Sequence, residues 1–378
     1  MQNVYNQQFF DFDEGGIVAG KQKRKVDTQQ NVPSYEEYQA LYDAAGDLRA
    51  AEPWKVIYSG DVIGVRDPET GIIGYCCVTG LLDEYLAMHV YLGGSGIEAY
   101  KAFVDASDAY DGEPSPMDTM LAGRSITDIE VEFCNALELR PQDKARARDL
   151  GRSFVGRKAW PAFMRNDPCR EPRDLDGWDA RFLTVAIRQL LQVLGRINRD
   201  EIDFPDAFTQ HQVLVRVPED RGGTLVWHDA IEPLEKAVKS ESLPLSESEL
   251  SSLERLPVRE FRLELAHTIL PALVKATDSD RGMFIRIILA VDGRSGKVLG
   301  FHTFDEGEFP RNLLTQVAAM LKSTGFIPSQ LLVNDPWVFS AIADGLPLLK
   351  SSLAVVKGMP ASEDAVSAFA EVVSAGHS

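Results

Sequence analysis

Between Gly71 and Phe103 two apolar runs, Ile72 to Thr79 and Leu86 to Tyr91, are joined by a short polar turn. The second run passes through Gly94, Ser95 and Gly96 into an amphipathic stretch from Ile97 to Ala106. Runs of this length bounded by turn residues predict paired strands, and the spacing after them predicts a helix. This segment is expected to be the centre of a sheet. Upstream, Ser34 with Glu37 three residues on is a capping-box signature, and Tyr38, Leu41, Tyr42, Ala45 and Leu48 repeat at helical spacing until Pro53. Val56 to Tyr58 and Val62 to Val65 predict short strands. Asp67-Pro68-Glu69-Thr70-Gly71 is turn chemistry, with Pro setting its φ and Gly free to take a positive one.

Residues 108–124 are rich in turn formers and read as a loop. Ile126, Ile129, Val131 and Phe133 alternate as a strand, and Pro141 opens a helix through Leu150. A proline-punctuated connector from Trp160 ends at Asp176, the N-cap of a long helix carrying Phe182, Leu183, Ile187, Leu190 and Leu194. Gln212 to Val217 and Thr224 to His228 predict a hairpin, and Ser240 to Glu254 a surface linker or poorly packed helix. Met283 to Asp292 and Lys297 to Phe304 flank a second hairpin turn. Helix Pro310 to Thr324, strand Leu331 to Val333, helix Pro336 to Ala343, strand Leu353 to Val356 and helix Glu363 to Val373 follow. The expected fold is an α+β N-terminal domain with an antiparallel meander, then a small α/β domain of a β-hairpin followed by αβαβα. The expected boundaries are a flexible tail over 1–33, the first domain over 34–280 and the second over 281–378.

A chain of 378 residues exceeds one ordinary core, which agrees with two domains. The formal net charge of -18 opposes binding to nucleic acid or anionic lipid. The acidity is carried by the first 280 residues, since after them 8 Lys and Arg nearly balance 9 Asp and Glu. The basic cluster Lys21 to Lys25 reads as solvated charge. No run approaches the ~20 apolar residues of a membrane span, and the polar N-terminus lacks the core of a signal peptide. A cytoplasmic location is expected. Cys76, Cys77, Cys134 and Cys169 have no C-x-x-C spacing and read as reduced, packed thiols. On a strand, Cys76 and Cys77 would face opposite sides.

The candidate chemistry is sparse. Gly94, Gly96 and Ile97 at a strand-to-helix corner could offer N–H groups to an anion, but the rest of a dinucleotide fingerprint is missing and Glu98 opposes a phosphate. A tight turn explains the glycines as well. Gly293 to Lys297 lacks the upstream glycine and following hydroxyl of a phosphate loop. The histidines His89, His211, His228, His267, His302 and His377 show no ligand spacing.

The segments ILAVDGRSGKVLG and LLVNDPWVF resemble strands of ribonuclease-H-like domains, including the integrase core, that end in Asp. The resemblance implies a carboxylate set of Asp292, Asp335 and Glu363 or Asp364, with Asp292 and Asp335 holding Mg2+ or Mn2+ for phosphodiester hydrolysis. Each acid also has a local role: Asp292 starts a turn, Asp335 is an N-cap before Pro336, and Glu363 and Asp364 sit in a first helical turn. Across most of residues 35–375, Pro53-Trp54, the DPETG turn, Ala159-Trp160-Pro161 and the A-V-D and V-N-D strand ends resemble an uncharacterised bacterial family that joins two domains of unknown function. That resemblance implies a shared fold and no activity. The expectation is a non-catalytic binding or regulatory protein without a cofactor, whose partner is a protein or small ligand. The alternative is the divalent-metal nuclease.

Overall fold

A computed structural model describes residues 32–58, 60–107, 115–237, 242–275, 281–304, 308–346 and 351–375. Of the expected tail, all but Val32 and Pro33 lies outside the described residues. Helix α1 (Tyr35–Ala51) starts as its sequence dictates. The Ser34 hydroxyl accepts the Glu37 N–H at 3.1 Å, and the Glu37 carboxylate accepts the Ser34 N–H. Helix α5 (Gly177–Ile197) is closed in the same reciprocal way by Asp176 and Asp179. Each box satisfies donors that a helix start otherwise leaves unpaired. Leu41, Ala45 and Leu48 of α1 pack with Phe182, Ile187, Leu190 and Leu194 of α5 in one buried cluster.

Those two helices cover one face of a seven-stranded sheet. Its strands are β1 (Ile63–Arg66), β2 (Ile73–Thr79), β3 (Leu86–Leu92), β4 (Asp128–Cys134), β5 (Trp160–Asn166), β6 (Gln212–Asp220) and β7 (Leu225–Pro233). Their order is β5-β4-β3-β2-β1-β6-β7, antiparallel throughout except for β1 against β6. The expected meander is therefore present, with its β1–β2 turn closed by the Gly71 N–H on the Asp67 carbonyl and Gly71 at φ 77°. Along β2 to β4 alternate residues serve opposite faces. Cys76, Met88, Val90, Ile129, Val131 and Phe133 meet α1 and α5. Tyr75, Cys77 and Tyr91 meet Ile97 and Tyr100 of helix α2 (Gly93–Ser107). Burial pushes the Cys76 and Cys77 thiols up, as packed rather than reactive groups require.

Three local expectations are corrected. Trp160–Asn166 is a strand because Pro161, which has no N–H to donate, lies at the sheet edge. Val56 and Ile57 turn back onto the Pro53 carbonyl instead of extending. Within the expected loop, Pro116–Gly123 is helix α3: Ser115 caps it and Pro116 stands in its first turn, start signals that read equally well as turn formers. Residues 108–114 of that stretch lie outside the described residues. Helices α4 (Pro141–Asp149), α6 (Ala207–Gln210) and α7 (Glu247–Glu254) complete this half of the chain. Helix α7 packs its buried Leu253 into the second core and has its own box from Ser246 and Glu249.

The second sheet holds β8 (Val258–Lys275), β9 (Gly282–Asp292), β10 (Val298–Phe304), β11 (Ile327–Val333) and β12 (Ser352–Val355) in the order β10-β9-β8-β11-β12. The three on the β10 side are antiparallel, whereas β8, β11 and β12 run parallel. Helices α8 (Leu313–Thr324), α9 (Pro336–Gly345) and α10 (Pro360–Ala375) give the expected αβαβα order. The expected boundary at 281 is corrected, because β8 is the central strand of this sheet. Its pattern is masked by Arg259, Glu260, Arg262 and Glu264, and the ladder shifts register between Ile269 and Leu273, around Pro271. Among the described residues no helix is long and apolar enough to cross a membrane.

Candidate functional site

Asp292 and Asp335 do not converge. Asp292 closes the second strand of its sheet, not the first, and serves its own turn: it accepts from the Arg294 N–H at 2.9 Å and from the Ser295 hydroxyl. Those bonds hold its carboxyl below the usual range. Asp335 accepts the Trp337 N–H at 2.7 Å as a helix cap and binds Nδ1 of the buried His267 at 2.6 Å. Opposite Asp292 on β8 stands Leu263, four residues from His267. At ~3.3 Å per residue the two acids are separated by roughly 13 Å along β8 alone, too far for ions ~4 Å apart. Glu363 accepts the Ser115 hydroxyl at 2.5 Å, and Asp364 is exposed. The corner glycines are also explained by packing. A Cβ on Gly94 would come 2.2 Å from the Lys236 carbonyl oxygen, and one on Gly96 2.7 Å from that of Thr127. The backbone of 236 and 237 therefore covers the turn where an anion would sit, and Ile97 is fully buried.

Chemistry gathers instead on the α2 side of the first sheet. On β4 the acids Asp128, Glu130 and Glu132 alternate with core residues Ile129 and Val131, so all three face away from α1 and α5. Across the ladder His89 pairs with Glu130, and Tyr91 with Asp128. His89 Nδ1 lies 2.7 Å from Asp128 Oδ2 and 3.2 Å from Glu130 Oε2. Asn166 on β5 donates to Asp128 Oδ1 at 2.9 Å, and Tyr85 donates to Glu130 at 3.5 Å. Asp128 is 1% exposed and Glu130 5%, so both carboxylates are largely removed from water.

The electrostatics follow from that burial. Desolvation pushes Glu130 up to about 7, opposed by His89 and reinforced by Asp128 and Glu132. Desolvation works against charge on His89, yet the Asp128 bond and the surrounding carboxylates raise its pKa overall. Burial and then Glu130 raise the Tyr85 hydroxyl. One imidazole thus stands among buried acids, and among the described residues no Lys or Arg pairs with Asp128 or Glu130.

His89 and Asp128 of this cluster edge a cavity of about 840 Å³. Tyr85, Tyr91, Tyr100 and Phe103 give it aromatic walls, and Thr119, Met120 and Gly123 of α3 form the opposite side. His89 and Tyr91 stack at 5.7 Å and 8°, and Tyr91 and Tyr100 at 4.4 Å. The hydroxyl oxygens of Thr79 and Thr119 are buried and have no hydrogen-bond partner among the described residues. At the rim, Arg124 lies 3.8 Å over the Phe284 ring, and Cys169 links its N–H to the Arg124 carbonyl and its own carbonyl to the Phe284 N–H. Asp167 on the same rim takes the Arg281 guanidinium at 2.6 Å. The other side of α3 meets the second sheet, where Asp118 accepts from Asn334 at 2.8 Å and the Met117 carbonyl accepts the Thr268 hydroxyl.

The histidine positions alone do not reveal this site, because Asp128 and Glu130 lie 39 and 41 residues from His89 and meet it only through strand pairing. The readable sign was the acid at every second position, Asp128, Glu130 and Glu132, within an otherwise apolar strand.

Fold and site together define an α+β protein with an aromatic-walled cavity, edged by a few polar groups, on one face of its larger sheet. Residues 38–216 match the family described as Domain of unknown function (DUF7309), and residues 249–370 match Domain of unknown function (DUF6930). The chain thus carries two successive domains of unknown function, each matched over its own segment. Comparison with the curated proteins finds no match. Every residue lining the cavity falls within the first matched segment, and all of β8 within the second.

Proposed function

We propose that the protein is a binding protein whose ligand, a small organic molecule of mixed polar and aromatic character, occupies the cavity between α3 and β3. The observation that carries this reading is the cavity itself: about 840 Å³, aromatic on its walls, with His89 and Asp128 at its edge. That combination of apolar surface and a few convergent polar groups with perturbed pKa values is what ligand sites require. The contacts of α3 and the 167–171 loop with β8 and β9 support a regulatory role, in which occupancy is felt by the second sheet.

The test is a thermal-shift screen of a small-molecule library against the wild type and Gly123→Leu. Gly123 ends α3, and a Cβ there would sit 3.5 Å from Phe103, so the larger side chain enters the cavity without a backbone clash. Compounds that raise the wild-type Tm should lose their effect on Gly123→Leu. No stabilising compound, or equal shifts in both proteins, would overturn the reading.

A further inference from the structure

We propose that His89, Asp128 and Glu130 together hold one first-row divalent cation, Mn2+ or Zn2+, at the edge of the cavity. The inference rests on the binding reading above and names what the polar end of that cavity presents to its ligand. The three donor atoms, His89 Nδ1 and one oxygen from each carboxylate, lie within 4.8 Å of one another. They come from two adjacent strands of one sheet, two of them at alternate positions of β4 and the third directly across on β3. A sheet fixes such positions better than loops do.

The donor set points to the class of ion. One imidazole and two carboxylates suit the borderline divalent ions, and three protein donors are too few for the six to eight oxygens of Ca2+. Charge points the same way: with both carboxylates ionised, a single imidazole leaves a negative excess that a dication neutralises. The surrounding groups are those that orient ligands. Asn166 holds the other oxygen of Asp128 at 2.9 Å, which turns Oδ2 toward His89, and Tyr85 reaches the Glu130 carboxylate. His89 and Asp128 themselves line the cavity, so an ion held between them is open to whatever the cavity binds. A cation with three protein ligands keeps open positions on the cavity side, where an oxygen or nitrogen of the bound molecule can complete its coordination.

Calorimetric titration of the full chain with Mn2+, and separately with Zn2+, at neutral pH tests this. The expected result is one ion per chain, Zn2+ tighter than Mn2+ in accord with the general affinity order, and a loss of at least about 100-fold for His89→Gln and Glu130→Gln. Asp335→Asn, at the other histidine–carboxylate pair, should bind as the wild type does. No binding by the wild type, or equal binding by the cluster variants, would overturn the proposal. Should the variants not fold, the wild type decides alone: Mn2+ must broaden the NMR signals of residues around His89 and spare those around Asp335, and the reverse pattern refutes the site. If no ion binds while Gly123→Leu still abolishes compound shifts, the cation proposal fails and the cavity reading stands. Ion binding without any cavity ligand overturns the cavity reading alone.

Discussion

Across the β3–β4 ladder His89 stands opposite Glu130, and its Nδ1 lies 3.2 Å from Glu130 Oε2 while bonding Asp128 more closely at 2.7 Å. The imidazole is thus shared between two buried carboxylates, and the second is the less well compensated. Glu130→Gln is therefore expected to raise the stability of chelator-treated protein, by on the order of 1 kcal/mol, because the amide keeps a similar shape and removes a repulsive charge. Urea unfolding in the presence of EDTA measures it. A loss of stability would show that the carboxylate is satisfied by its neighbours.

His267 and Asp335 form a different kind of pair. Arg286 donates to His267 Nε2 at 3.0 Å, so the proton of the neutral ring sits on Nδ1 and is donated to Asp335. Burial lowers the His267 pKa more than Asp335 raises it, and Phe309 stacks on the ring at 4.4 Å. A depressed histidine pKa means that the unfolded chain binds the proton more readily. Stability from this group is full above the unfolded value near ~6.5 and falls as pH drops below it, by at most about 1.4 kcal/mol per unit. Unfolding free energies at pH 7.5 and 5.5 should differ more in the wild type than in His267→Gln.

At the far side of the first sheet, the buried Arg216 guanidinium and Arg196 both bind Asp229. Burial acts to raise the Asp229 pKa, and the two arginines more than offset it, leaving the carboxyl below its ordinary value. Asp229→Asn leaves a buried cation short of its counter-ion. The expected cost is about 2 kcal/mol, below the full penalty for a buried pair because Asp229 is partly exposed. A Tm within a degree of the wild type would contradict this.

Two glycines separate packing from propensity. Gly46 lies inside α1 with nothing within 4 Å of an added Cβ, so Gly46→Ala should stabilise by about 0.5 to 1 kcal/mol. Gly94→Ala forces a Cβ against the Lys236 carbonyl and should destabilise by about 2 kcal/mol or more. If Gly94 were kept for an anion, the substitution would leave thermal stability intact in anion-free buffer.

The elements legible in the sequence were those whose signals are local. The Ser34 and Asp176 caps, the DPETG turn and the alternation in β4 each act within a few residues, and each element formed where its signal stood. What escaped depends on partners distant in the chain. Pro161 is tolerated because of its place at the sheet edge, and β8 is central because β9 and β11 flank it. The same limit hid the site. Asp292 and Asp335 looked like a pair because both end apolar strands, yet the ladder sets them far apart, while His89 and Glu130 carry no shared motif and the ladder sets them face to face.

Diffraction from crystals soaked with a library of small polar aromatic fragments shows whether the cavity takes a ligand. The cavity account predicts fragment density between Thr119 and Gly123 of α3 and His89 of β3. Fragments gathered around Asp335 and Glu363, with the cavity empty, would contradict it.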